Sequence, residues 1–259
     1  MINPVFRVHL GEDEERGVAL TLAKVCHFIH PQIVEAIQQI NKEDSDRLAE
    51  IMPDLVDKTA WLYPGSACLF PGIKRYVGRL NPKEKRKYVT SRRAIIDDNE
   101  FPRHLWAFLA GGTAYSGPSW RTTGLHQFEL GHVFAHKIEE RRIESVTFSN
   151  FDSSVDPSGL FTCASNVALI PKGLAKPTDH LDSVKKAFCK RYVTLYGEDI
   201  LPGLSGLKDA EIPSWYGQLE WSEPLLPDGW EQNVAKLREY RFRRLKGLFA
   251  NPLDESGQH

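Results

Sequence analysis

The chain has 259 residues, 41% of them hydrophobic and 26% charged, with a formal net charge of −1. This is the composition of a globular protein with one large domain or two small ones, and it excludes a wholly disordered or fibrous chain. No basic-then-apolar leader opens the sequence and no apolar run is long enough for a membrane span, so a soluble cytoplasmic protein without a membrane partner is expected.

Residues 17–40 carry apolar side chains at helical spacing, with Pro31 marking a break or the first turn of a second helix. His27 and His30 fall on or near that stripe and read as core or part-exposed histidines. Residues 44–58 predict a helix capped by Asp44 or Ser45 and interrupted at Pro53. Residues 61–73 are punctuated by Pro and Gly and read as loop and short strand. The stretch 74–93 begins extended, and its Asn81-Pro82 turn opens a short helix. Residues 104–120 mix aromatics with Gly111, Gly112 and Gly117 and read as a turn-rich connection.

Residues 124–137 alternate as a strand does. His126, Phe128, Leu130, His132, Phe134 and His136 share one face; Gln127, Glu129, Gly131, Val133 and Ala135 share the other. A short strand at 143–148, a polar loop and an extended segment at 160–171 follow. A helix capped by Thr178 or Asp179 then runs to Tyr196, with Leu181, Val184, Phe188 and Leu195 as its apolar stripe. Beyond residue 200 the chain is rich in Pro and Trp until a basic helix at about 229–248.

The fold class expected is α+β. A mainly helical region (1–119) precedes a ββα core (120–198), an irregular segment and the basic helix (199–259).

Charge is segregated along the chain. Lys74, Arg75, Arg79, Lys83, Lys85, Arg86, Lys87, Arg92 and Arg93 face one acid, Glu84, within 20 residues. Lys236, Arg238, Arg241, Arg243, Arg244 and Lys246 face only Glu239 within 11. Tyr76, Tyr88 and Tyr240 are interleaved with these runs. Such segregation suits one surface turned toward a polyanion, so both segments are candidate nucleic-acid contacts.

Motif searches narrow the chemistry. Phosphate-cradling G-x-x-x-x-G-K-[ST] and G-x-G-x-x-G loops are absent, as are G-x-S-x-G and H-E-x-x-H. No Asp or Glu is followed two residues later by Lys, which removes the acid-x-Lys core of many restriction-type nucleases. Cys26, Cys68, Cys163 and Cys189 are widely spaced with no C-x-x-C pair, so reduced thiols are expected.

Four of nine histidines fall between 126 and 180. Leu130-Gly131-His132-Val133, then Asn166 followed by Val167-Ala168-Leu169-Ile170-Pro171-Lys172, then Thr178-Asp179-His180, resemble the HNH endonuclease family. That family's fold is two strands and a helix around one divalent metal, and the likeness spans a little over a quarter of the chain. It implies that His132 is the general base taking a proton from the attacking water. It implies that Asn166 ties the metal loop and orients the histidine. His180, with Asp179 as alternate, would be a metal ligand on the helix. The implied cofactor is one magnesium or manganese ion, and the implied substrate is DNA, cut as in restriction or defence. A homodimer is one option for assembly.

Three features depart from the family pattern. Gly131 stands where an Asp often precedes the base; Glu129 or His136 would have to replace it, and Glu129 only if Gly131 forms a bulge. Thirty-four residues separate His132 from Asn166. The zinc-stapling cysteine pairs of many members are missing. Zinc held by His132 and His136 with Cys163 or His180 is a further alternative, although on a strand such an i, i+4 pair lies about 13 Å apart. The competing function is nucleic-acid binding without catalysis, with a structural histidine cluster.

Overall fold

The structure is a computed structural model that describes residues 10–51, 66–70, 74–75, 96–97, 100–135, 140–155, 159–174, 177–198 and 203–249. Helix α1 (Glu12–Val25) opens with Glu12, Asp13, Glu14 and Glu15, whose charges complement the positive end of the helix dipole. Pro31 begins a second helix, α2 (Pro31–Glu43). Its orphan amides are capped by His30, whose Nδ1 accepts from Gln32 N at 3.3 Å. Between these helices the chain is extended. His27 bridges to Leu169 and Ile29 to Leu225, which ties the N-terminal region to later segments by backbone bonds.

Helix α3 (Ser45–Ile51) follows; the rest of the helix expected to 58 lies outside the described residues. Strand β1 (Lys74–Arg75) pairs in parallel with β2 (Ile96–Asp97), so the basic stretch does begin extended. The turn-rich reading of 104–120 is corrected: Glu100–Gly111 is a helix, α4. Phe101, Leu105, Trp106, Phe108 and Leu109 are all buried, and a helix apolar on most sides is one enclosed by protein. Of the glycines read as turns, Gly111 and Gly112 lie at its end, where Gly112 takes φ +63°, and Gly117 begins the next helix. Helix α5 (Gly117–Thr122) is closed by a reciprocal Ser116–Ser119 capping box.

The region expected to be ββα contains more than that. Strand β3 (Phe128–His132) is followed by helix α6 (Arg142–Thr147) and strand β4 (Phe148–Phe151), which replace the single strand expected at 143–148. Two short 3-10 turns, Leu160–Thr162 and Ala164–Asn166, lead into β5 (Val167–Pro171), so 160–166 is not extended as expected. A separate turn of helix, α7 (Pro177–His180), precedes α8 (Asp182–Tyr196). The expected Thr178/Asp179 cap is therefore wrong for the long helix, which starts after extended Leu181. Strand β6 (Leu204–Leu207) pairs antiparallel with β4, and β5 pairs antiparallel with β3. Helix α9 (Trp230–Phe249) ends the described chain. The protein is α+β, and one cluster of buried side chains runs from Ala19 to Leu245 through all three sequence regions. Among the described residues no helix is long and apolar enough to cross a membrane.

Helix α9 packs on α4 and α2. Its basic face is partly spent on this packing. Arg241 is 1% exposed and bonds Asp44 Oδ2 at 2.6 Å as well as Asn41 Oδ1. Arg238 reaches Asp44 through Nε at 3.0 Å and Nη2 at 2.5 Å, and it also pairs with Glu43. Asn41 donates to the carbonyls of Ser66 (2.8 Å) and Cys68 (2.9 Å). Burial draws the Arg241 guanidinium down while Asp44 opposes the shift. A buried charge of this kind persists because each partner satisfies the other; removing one alone would cost about 3–5 kcal/mol.

His104 joins the same packing from α4. Its Nδ1 accepts from Tyr115 N at 2.9 Å, so the neutral ring carries its proton on Nε2, 2.8 Å from the Tyr240 hydroxyl. Burial lowers its pKa to about 4, helped by Arg244 and opposed by Glu100. The folded state thus resists a proton that the unfolded chain accepts near pH 6.5. Stability is full above that pH and falls as pH drops toward 4, with His104 contributing a loss of roughly 3 kcal/mol. Urea unfolding between pH 7 and pH 4 measures this slope, and His104→Gln is expected to flatten it. An equal slope in that variant would place the pH dependence elsewhere.

Candidate active site

Strands β3 and β5 pair residue for residue: Phe128 with Pro171, Glu129 with Ile170, Leu130 with Leu169, Gly131 with Ala168 and His132 with Val167. Alternation places Phe128, Leu130 and His132 on one face, with Glu129 and Gly131 on the other. The unbroken register leaves no bulge at Gly131. Glu129 is therefore not on the face of His132, and the expectation that it replaces the missing acid is corrected. A Cβ at position 131 would lie 2.4 Å from Ile170 Cδ1, so a side chain there has to displace the end of Ile170.

Immediately after His132 the chain leaves the strand and dives inward. Val133 and Phe134 are buried, and Val133 N donates to Asn166 O at 3.1 Å. The strand expected through 137 stops here because Asn166 captures the turn. Its Oδ1 accepts from Phe134 N at 2.7 Å, and its Nδ2 donates to the carbonyls of Phe134 and Leu160, each at 3.2 Å. One fully buried amide thus uses two donors and an acceptor on backbone groups at both ends of the long connection between β3 and β5. Pairing these groups matters because each, left bare in the interior, costs about 1–3 kcal/mol.

The same connection fixes the histidine ring. His132 Nε2 lies 3.1 Å from the carbonyl oxygen of Phe161. A carbonyl can only accept, so Nε2 carries the hydrogen and the neutral ring has its lone pair on Nδ1. Thr162 anchors this turn: its hydroxyl bonds Gly159 O at 2.8 Å and accepts from Phe70 N at 3.2 Å. Behind it, Ser165 bonds both Cys163 Sγ (3.2 Å) and Tyr192 of α8 (3.0 Å).

Sequence reading missed two contributors. The Phe161 carbonyl is backbone and leaves no trace in residue type. Glu144 sits in a segment read as strand; it is fully buried on α6, accepts from Ala135 N at 2.6 Å and lies 3.4 Å from Lys185 Nζ. It holds the backbone three residues beyond His132. A buried acid in a polar, Arg-rich stretch was the only available signal.

The remaining candidates are dispersed. Asp179 and His180 on α7 are both exposed. The expectation that His180 points to the buried side fails because the helix breaks at Leu181, which uncouples its face from that of Val184. His136 lies outside the described residues, as do Arg79, Lys83, Lys85, Arg86, Lys87, Arg92 and Arg93. Lys74 and Arg75 are placed by backbone in β1. Lys236 and Arg243 are exposed on α9. Arg244 lies against Phe101 and 3.8 Å from Glu100, and Arg238 is tied to Asp44. Arg241 is corrected: enclosed with Asp44, it offers nothing to a nucleic acid.

No three of His, Cys, Asp and Glu come together as a metal-binding group among the described residues. Gly131 offers no donor, Glu129 is turned away and Cys163 is buried among Ser165 and Cys68. The described side chains therefore do not assemble the donor set implied for magnesium, manganese or zinc. What they do assemble is a histidine of fixed tautomer at a strand end, held by a buried asparagine.

Asn166→Ala is expected to lower unfolding free energy by about 3 kcal/mol, since three backbone groups lose their partner together. Asn166→Asp should be at least as damaging, because its second oxygen would face two carbonyls where Nδ2 now donates. Urea titration of the two variants measures both; an Asp variant as stable as the parent would refute the donor assignment. No protein-family model matches the chain, and neither a curated protein nor a solved structure does.

Proposed function

We propose that this chain hydrolyses phosphodiester bonds of DNA, with His132 as general base and Asn166 as the residue that positions it. The observation that carries this reading is the Nε2–H to Phe161 carbonyl bond, which orients a histidine ring at the end of β3 and sets the tautomer of its neutral form. A base with that tautomer can take a proton from water as the water attacks phosphorus. The antiparallel β3–β5 pair with the asparagine clamp at its open end supports the same reading, as does the resemblance of these segments to HNH enzymes. Affinity for the duplex would come from cations such as Lys236 and Arg243 and from the basic segment 74–93, through salt-sensitive phosphate contacts.

A second reading, DNA binding without cleavage, is favoured by Gly131. Ile170 occupies the space an acidic side chain would need there, and the described residues gather no metal donors.

Supercoiled plasmid separates the two. The full-length protein is incubated with it in the presence of magnesium, of manganese and of chelator, beside His132→Ala. The proposal expects nicking or linearisation by the parent that depends on the metal added and falls by about 10²–10⁴-fold in His132→Ala, at equal folded fraction and with DNA binding kept. Binding without cutting by both proteins would favour the second reading. Equal cleavage by both would overturn the role of His132.

A further inference from the structure

Two of the four cysteines meet across the core. Cys68 faces Cys163 in an antiparallel bridge, flanked by Leu69 N to Thr162 O (3.2 Å) and Ala164 N to Ala67 O (3.0 Å). Bonds made by the neighbours rather than by the pair itself define the non-hydrogen-bonded position of such a ladder. There the Cα atoms approach to about 4.5 Å with both side chains on one face. A disulfide requires a Cα separation of about 4.4–6.8 Å, so the backbone already meets its geometry. The two thiols are hydrogen-bonded to each other, and both are reduced.

We propose that Cys68 and Cys163 are an oxidative modification site, joined as a disulfide when the protein meets a peroxide. The inference goes beyond phosphodiester cleavage and does not depend on it. The chemistry around the two sulfurs differs in the way the step needs. Cys163 receives hydrogen bonds from the Cys68 thiol, the Ser165 hydroxyl and the backbone at Ser165 and Asn166, which outweigh burial and hold its thiol below the ordinary range. Cys68 is pushed up by that same bond and by burial, so it keeps its proton. The thiolate is the nucleophile in such chemistry, and the hydrogen bonds around the pair favour that form at Cys163 over Cys68.

The step balances as follows. The Cys163 thiolate attacks one peroxide oxygen, the O–O bond breaks, and the leaving oxygen departs as water after taking a proton. Cys163 is then a sulfenic acid. The Cys68 sulfur attacks that sulfur, the S–O bond breaks, and the hydroxyl leaves as water with the Cys68 proton. Two thiols lose two electrons in total and one hydrogen peroxide becomes two waters. The bond would tie residues 66–70 to the turn carrying Phe161, closing a loop of about 95 residues. Cys26 and Cys189 provide internal controls. All four cysteines are buried, but the bridge places Cys68 opposite Cys163 alone, and burial pushes the Cys26 thiol up to about 12 and the Cys189 thiol higher still.

The test uses the reduced full-length chain, treated with hydrogen peroxide or with buffer and then alkylated with N-ethylmaleimide under denaturing conditions. The proposal expects four adducts after buffer and two after peroxide. Before alkylation, the oxidised chain should be lighter by two hydrogens. Digestion should give one cross-linked peptide pair containing Cys68 and Cys163, released by dithiothreitol. Four adducts after peroxide would overturn the proposal, as would a cross-link through Cys26 or Cys189, or sulfinic acid at Cys163 without any cross-link. Cys68→Ser should abolish the cross-link and let Cys163 proceed to sulfinic acid; the mapping of the parent chain decides the matter even where that variant folds poorly.

Discussion

The side chain of Asn166 is the constraint on which the candidate site depends. A buried primary amide has two hydrogens to give and an oxygen to accept with, and here they go to backbone groups of residues 134 and 160. Those residues are the entry and exit of the long connection between β3 and β5. Tying both to one side chain fixes the two ends of the connection against each other, and Glu144 from within it holds Ala135 N as well. An apolar residue could fill the volume but would strand three polar groups in the core.

The histidine gains from this in two ways. The inward turn after His132 brings the chain under the clamp, and the exit side presents the Phe161 carbonyl at 3.1 Å from Nε2. The ring is thereby oriented and its tautomer chosen by backbone, a form of support that does not itself titrate. Thr162 and the Cys163–Ser165–Tyr192 chain hold that turn against residues 68–70 and α8. The residues that would make the site reactive and the residues that would register oxidation thus share one short stretch, 160–166.

Much of this was legible in the sequence, for identifiable reasons. The strand carrying His132, the later part of the extended segment read at 160–171 and the helix ending at Tyr196 follow from alternation, from the apolar run 167–170 and from helical spacing. Pro31 marked the second helix because proline suits a first turn. Other readings failed where a tertiary contact overrides local pattern. Residues 133–135 keep the alternation of a strand, yet they leave it because Asn166 offers better hydrogen bonds. Gly111 and Gly112 suggested turns throughout 104–120, whereas burial on all sides makes the preceding segment a helix. The charge run at 236–246 suggested a surface, but only a contact 197 residues away, Arg241 with Asp44, shows which cations are spent inside. Backbone partners such as the Phe161 carbonyl have no residue signature at all.

The central claim is that the fold imposes one tautomer on His132. Heteronuclear NMR of the 15N-labelled chain, at a pH where the ring is neutral, reads this directly, with His132→Gln identifying the resonances. The account predicts a protonated Nε2 and an unprotonated, pyridine-type Nδ1 in a single slowly exchanging form. A ring protonated at Nδ1, or an average of both forms, would contradict it.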